Sequence, residues 1–456
     1  MTTIFRKDAM RPAGMTGRAT SRLLLAPVLA GGLALVAVLP AQAQETAENG
    51  WRYHVEAIGT GVNDGFELAL DPVAGRVYVA DAAWRSEARD TGGDPWLTQT
   101  ASGKLVVFDS ANRSFVGVHS FLDLSRTDGS GTERDPLDWS GVDSEQETTA
   151  SMRATFSPYG VAVDGTTTGA DGQPDATIVT TTARGRDPQA GYGGHMVIYN
   201  ASQGAPSDDD RLWQFEDGSP IFEGMRRVVV NTQTHKAYVS NIGQRGDAAE
   251  RRPGFVAVVD LPSKTVEARV PLPDGLGVIG VAVDEENGLV YAGALNGENL
   301  FVFDAGEVDT SNPQDLALNA DLPRLLEQAE VGANARPEYD PATKRLYVAA
   351  FGEPGKITVI DADPASADYG SVVNAVETGS VNAVTVDADR GLLFSANLGD
   401  KEVVVHDLDT LDVVLRVPTS GEPINTAIDP TTGDIWVAHA KDTGKLDVIT
   451  LKGSTQ

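Results

Sequence analysis

Apolar residues in this chain come in short runs, and run after run stops at Asp or Asn. The clearest stretch is Gly280 to Asp304. Val281-Ala282-Val283 stops at Asp284. Leu289 to Ala294 follows a Glu-Glu-Asn-Gly link, and Leu300 to Phe303 stops at Asp304. β-Branched and aromatic residues bounded by Gly, Asn and Asp predict strands. Asn287-Gly288 is the strongest short hairpin signal. The stretch therefore predicts a three-stranded meander. Alone, such a meander leaves two edges and one face open, so it needs copies of itself.

The copies are present. The first strand recurs at Leu68–Asp71, Val161–Asp164, Val228–Asn231, Val281–Asp284, Glu338–Asp340, Val384–Asp387 and Thr426–Asp429. The second recurs at Val77–Val79, Ile178–Thr180, Ala237–Val239, Val290–Ala292, Leu346–Val348, Leu393–Ser395 and Ile435–Val437. A third follows each, from Leu105–Asp109 to Leu446–Ile449. The shortest spacings, Asp340 to Asp387 and Asp387 to Asp429, match the roughly 40–50 residues of a propeller blade. Longer spacings are the same unit with inserted links. The reading is an all-β, seven-bladed β-propeller.

Fourth strands are complete at Thr265–Val270 and Val413–Val417. The last copy has three strands and then stops. Trp51 to Ile58 alternates like a strand and precedes the first copy. Tyr53 to Ile58 is thus expected to close the ring as the outer strand of the seventh blade. Residues 44–50 read as polar and frayed. Leu322 to Ala329 reads as a short amphipathic surface helix, and Asp208-Asp209-Asp210 as a solvated turn.

The repeat resembles the YVTN-repeat, YncE-like seven-bladed β-propeller family. The residues that carry this are Tyr238-Val239-Ser240-Asn241, Tyr347-Val348-Ala349-Ala350 and Phe394-Ser395-Ala396-Asn397. Asp-Pro turns at Asp71-Pro72, Asp340-Pro341 and Asp429-Pro430 add to it. The resemblance covers nearly all of residues 51–451. It implies the fold; the family hosts binding, scaffolding and enzymatic members.

The first 43 residues are of another kind. Arg6, Lys7, Arg11, Arg18 and Arg22 precede an apolar run from Leu23 to Leu39, and Ala41-Gln42-Ala43 is a small-x-small site. This reads as a signal peptide over residues 1–43, followed by the propeller over 44–456, with no membrane span after cleavage. The expected location is periplasmic or secreted. The 456 residues include no Cys, so no disulfide supports the exported chain. Acidic residues outnumber basic ones 65 to 36, for a formal net charge of −29. Removing the signal takes five cations against Asp8 and leaves the rest more acidic. Such a surface opposes non-specific nucleic-acid and anionic-lipid binding. A monomer is expected.

In a propeller, the link from each outer strand to the next inner strand shares a face with the link from second to third strand. The inserts Asp81–Gly103, Ser125–Pro158, Ala183–Gly194 and Ile242–Pro253 all fall on that face, over blades 1 to 3. Long loops on one rim point to function. They carry Trp84, Trp96, Arg184 and Arg245, with Arg226 and Arg227 opening the next inner strand. Arginines gathered in so acidic a chain suggest a pocket for an anionic ligand, or a patch for an envelope protein. Pairing with the acidic Ser125–Pro158 loop is the structural alternative. Glu67, Asp81, Arg227, Asn241, Arg336, Asn382, Asn397, Asn425 and His439 are expected at the channel mouth, where polar groups bind small molecules. Glu67, Asp81, Asn382 and Asn425 are oxygen donors of the type a divalent cation takes. They would suit a metal-dependent, lactonase-like hydrolase. No nucleophile elbow, zinc motif, phosphate loop or haem motif occurs. The expected function is a non-catalytic binding propeller with no cofactor. The hydrolase and an accessory subunit of an envelope assembly are the alternatives.

Overall fold

A computed structural model describes residues 45–46, 50–59, 62, 65–81, 104–120, 158–169, 171–182, 195–243, 253–440 and 445–453. They form seven antiparallel sheets. In order from the axis, blade 1 has strands Gly65–Asp71, Arg76–Asp81, Lys104–Asp109 and Phe115–Ser120. Blade 2 has Pro158–Asp164, Thr177–Thr182, Met196–Asn200 and Arg211–Leu212. Blade 3 has Met225–Asn231, Lys236–Asn241, Phe255–Asp260 and Thr265–Pro271. Blade 4 has Gly277–Asp284, Leu289–Leu295, Leu300–Asp304 and Arg324–Leu325. Blade 5 has Ala335–Asp340, Arg345–Ala350, Gly355–Asp361 and Val372–Thr378. Blade 6 has Val381–Asp387, Leu392–Asn397, Glu402–Asp407 and Val413–Pro418. Blade 7 has Glu422–Ile428, Ile435–Ala440, Lys445–Lys452 and, from the N-terminal side, Arg52–Gly59. Each inner strand touches the inner strands of both neighbours, blade 7 to blade 1 included, so the ring is closed.

The apolar runs are continuous because both faces of every blade are covered. Val77 and Val79 face blade 7, while Tyr78 and Ala80 on the same strand face blade 2. Seven apolar clusters result, one in each gap between blades. Trp436, the largest fully buried side chain, fills the gap between blades 7 and 1 against Phe108.

The Asp or Asn that ends each inner strand caps the turn after it. Its side chain accepts backbone N–H groups two or three residues on: Val73 at Asp71, Thr166 at Asp164, Gln233 at Asn231 and Glu286 at Asp284. Thr343 at Asp340, Arg390 at Asp387 and Thr431 at Asp429 complete the set. This is the Asx turn, and it explains why each run stops where it does. The same face is knitted from blade to blade. His235 Nδ1 lies 2.7 Å from Asp164, and Thr232 donates to Glu285. Arg390 donates to the Gly433 carbonyl.

Closure follows the expected scheme. Arg52–Gly59 pairs along its whole length with Lys445–Lys452, from Arg52 opposite Lys452 to Gly59 opposite Lys445. Tyr53 and Val55 fill the gap to blade 6, and Ile58 the gap to blade 1. Burying each such side chain contributes roughly 1.5–3 kcal/mol. Arg113 of blade 1 adds a clamp, 2.6 Å from both Glu56 and Asp434 of blade 7.

Three local expectations are corrected. Glu45–Thr46 is not frayed but pairs with Arg52 and Tyr53 as a fifth strand of blade 7. Leu322 to Ala329 is not a helix. Arg324 and Leu325 add an edge strand to Val302 and Phe301, because that third strand offers backbone partners where one helical turn would offer few. Asp210 is not solvated; it is 3% exposed and receives Lys264 Nζ and the Ser207 amide, tying blade 2 to blade 3.

The closing strand sets a test. A chain beginning at Gln44 should give one cooperative thermal unfolding transition, and so a defined Tm. A chain beginning at residue 60 exposes the Lys445–Lys452 edge and empties two gaps. It should aggregate or melt far lower; an unchanged Tm by circular dichroism would refute the closure.

Candidate functional site

The inner strands are irregular at their first residues, and this aims side chains at the axis. Register shifts occur at Gly65/Leu68, Met225/Val228, Val381/Ala383 and Pro423/Asn425, among others. Bulges re-aim the residue they contain. Here they present Glu67, Arg227 and Asn382. Blade 5 pairs regularly and offers Arg336 and Glu338 on either side of Pro337.

These groups from separate blades form one polar set. Arg227 Nη2 lies 2.5 Å from Glu338 Oε2, and its Nη1 donates to the Pro337 carbonyl at 3.0 Å. Blade 3 thus reaches blade 5 past blade 4, whose inner strand carries no polar side chain there. Gly280 lets the inner strands of blades 4 and 5 lie close together: a Cβ on it would lie 2.7 Å from the Arg336 Cα. Arg336 Nη1 faces the Asn382 carbonyl at 3.4 Å, and Asn382 Nδ2 donates to the Ile424 carbonyl at 2.6 Å. Arg336 Nε is buried with no hydrogen-bond partner among the described residues.

Glu67 is the buried acid of the set, 8% exposed. Its Oε2 accepts the Val161 amide at 3.3 Å, and Gly160 leaves it room. Burial drives its pKa from 4.5 up to about 7, against the pull of Arg227 and Arg336. The cluster of two guanidiniums and two carboxylates therefore moves from net zero toward +1 as Glu67 takes a proton.

The other expected site residues are placed as follows. Trp84, Trp96, Arg184 and Arg245 lie outside the described residues. The Arg226 guanidinium stacks 5.0 Å from the Tyr159 ring centroid, beside the next blade. Asn241 is fully buried, and its amide is spent on the Glu223 N–H and the Val239 carbonyl. Asn397 is buried and donates to Thr378. Asn425 is partly exposed opposite Ala438. Asp81 lies 3.4 Å from Lys104 Nζ. Of the oxygen donors proposed for a cation, Glu67 already faces two guanidiniums and Asp81 an ammonium. No group of three His, Asp or Glu arranged to hold a metal occurs among the described residues.

Two Ser–His arrangements were not legible in the sequence. Ser395 Oγ is 3.1 Å from His406 Nε2, and His406 Nδ1 faces the Leu411 carbonyl. Both residues are sealed, at 0% and 1% exposure, so no substrate reaches them. Ser420 donates its N–H and its hydroxyl to Asp447, whose other neighbour is His439 Nε2 at 3.1 Å. Burial pushes Asp447 up, but His439 and Ser420 outweigh it and hold the carboxyl below its usual range. The acid stands between serine and histidine here, so the histidine cannot take the serine proton. Both sets bind strands together. Glu338 was also missed as a site residue; its signal was Arg336-Pro337-Glu338 interrupting an otherwise apolar inner strand.

Glu67 sets a pH test. Between pH 4.5 and 7 the folded chain holds a proton that the unfolded chain has lost, so stability falls as pH rises through that window. The fall is on the order of 3 kcal/mol. Glu67→Gln should flatten it and leave the variant more stable than the parent at pH 8. Denaturant melts at pH 5 and 8 that show the same slope in both proteins would refute this.

No family model and no curated protein matches the chain. The YVTN-repeat reading therefore stays a resemblance. Matches to solved structures number 1302 chains, so the shape is too widespread to specify a function. One is the crystal structure of Raptor from Chaetomium thermophilum, similar at a TM-score of 0.51 and 12% identity. It covers 87% of this chain, while this chain spans 28% of that one, so the likeness is one of fold alone.

Proposed function

We propose that this chain is a non-catalytic binding scaffold, exported from the cytoplasm, that takes its partner on the link face over blades 1 to 3. The observation that carries the reading is the unequal division of chain between the two faces. On the turn face, capped turns are bonded from blade to blade. The strand ends on the link face of blades 1 to 3 are joined by residues 82–103, 121–157, 183–195 and 242–254. The corresponding second-to-third links of blades 4, 5 and 6 are only 296–299, 351–354 and 398–401.

Chemistry supports the same face. The long links carry Arg184, Arg186, Arg245, Arg251 and Arg252. The inner strands begin on this face, so Arg227 and Arg336 stand at its channel end. An anionic small molecule or an acidic surface of an envelope protein fits these groups. The basic, apolar and small-residue order of residues 1–43 supports export.

Shortening a long link tests the reading. Replacing 82–103 with the blade 5 sequence 351–354 should leave the fold intact, with Tm within a few degrees of the parent. It should abolish retention of the partner that the immobilised intact chain retains from its native host. Retention unchanged by the replacement, or no retention by the intact chain, would overturn the proposal.

A further inference from the structure

We propose a second binding site, at the seam between blades 7 and 1, for a compact multivalent oxyanion of the phosphate class. A hollow of about 370 Å³ opens there, lined by Arg52, Tyr53, His54, Arg113, Thr450 and Lys452. Arg52 belongs to the closing strand and Lys452 to the last strand of the chain. The ladder sets them directly opposite each other, with His54 opposite Thr450 on the same side.

Like charges directly opposite in a ladder destabilise it. Nothing among the described residues relieves this pair: neither Arg52 nor Lys452 has a carboxylate within ion-pair distance. Arg113 cannot be counted as a free cation. Its Nη1 is 2.6 Å from Glu56, and its Nη2 is 2.6 Å from both Asp434 and the Thr450 hydroxyl. That clamp spends the one charge of Arg113 on two acids, neither of which lines the hollow, so the cations facing it with no acid at hand are Arg52 and Lys452. In a chain with 65 acidic and 36 basic residues, an unrelieved cationic rung is the reverse of what the bulk composition favours. An oxyanion bridging the guanidinium and the ammonium removes the repulsion and gives each a charge-assisted hydrogen bond.

The position gives the ligand a consequence. Arg52 and Lys452 lie on the two strands whose pairing closes the ring without a covalent link. An anion bridging them binds the closed ring and not the unfolded chain, so it stabilises the closure by mass action. This site is separate from the link face and does not depend on its partner.

Thermal melts with inorganic phosphate test the site. The full chain is titrated at pH 7 and constant ionic strength, with chloride as the balancing salt. Tm should rise with phosphate and saturate. Arg52→Gln with Lys452→Gln should abolish the saturable rise. It should also raise Tm without phosphate, because the repelling rung is gone. A rise matched by chloride, or retained in the double variant, would overturn the site. Succinate forms a third arm: a rise equal to that with phosphate would make the site one for dicarboxylates and overturn the phosphate assignment.

Discussion

Every blade of this ring must be covered on both faces, and that requirement governs the rest. A four-stranded sheet with two apolar faces cannot stand alone in water. Here each gap between blades is filled from both sides, and the count of gaps equals the count of blades only if the ring closes. The seam is therefore not a detail of the termini. Ile58 faces blade 1 while Tyr53 and Val55 face blade 6, so one strand completes two gaps. Its pairing with Lys445–Lys452 also satisfies the last open backbone edge. With no Cys in the chain, ring closure rests on this non-covalent strand pairing.

The axis follows a different rule from the gaps. Between blades the side chains are apolar and interchangeable in kind. At the axis the inner strands meet with only their edges, and bulges place charged groups where few strands can reach. Arg227 and Glu338 form an ion pair across blade 4, and Gly280 lets the inner strand of blade 4 lie close against that of blade 5. Burying Glu67 among them costs stability at neutral pH, since the carboxylate is held away from water. A structural role would be served as well by an apolar residue. Keeping the acid instead makes the charge of the axial cluster depend on pH near neutrality.

The fold was legible because its code is local and repeated. An apolar run ended by Asp or Asn is a strand plus the cap of its own turn, and both parts can be read from neighbouring residues. The closing strand was legible by counting, since one blade lacked a strand and one strand lacked a blade. The polar set at the axis was legible by residue type but not by contact. Arg227, Arg336 and Glu67 were expected near the mouth, yet their ties to Glu338 and Val161 join residues far apart in the chain. Asn241 and Asn397 misled for a physical reason. A polar residue at a strand end serves a local backbone equally well, and here burial decides that it does. Leu322 to Ala329 had helical spacing, but an unpaired neighbouring strand outbid a segment too short to nucleate a helix.

The division of labour between faces explains how one side can vary while the ring endures. The turn face holds the blades together through short capped turns and bonds such as Arg113 to Asp434 and Thr232 to Glu285. A longer turn there would pull these partners apart. The link face has no such burden over blades 1 to 3, where the second and third strands remain paired whatever joins them. Lengthening a link costs only loop-closure entropy, which grows slowly with length. Chain can therefore accumulate on that face at little cost to the fold. Ring closure thus constrains the turn face and leaves the links between second and third strands free to vary in length.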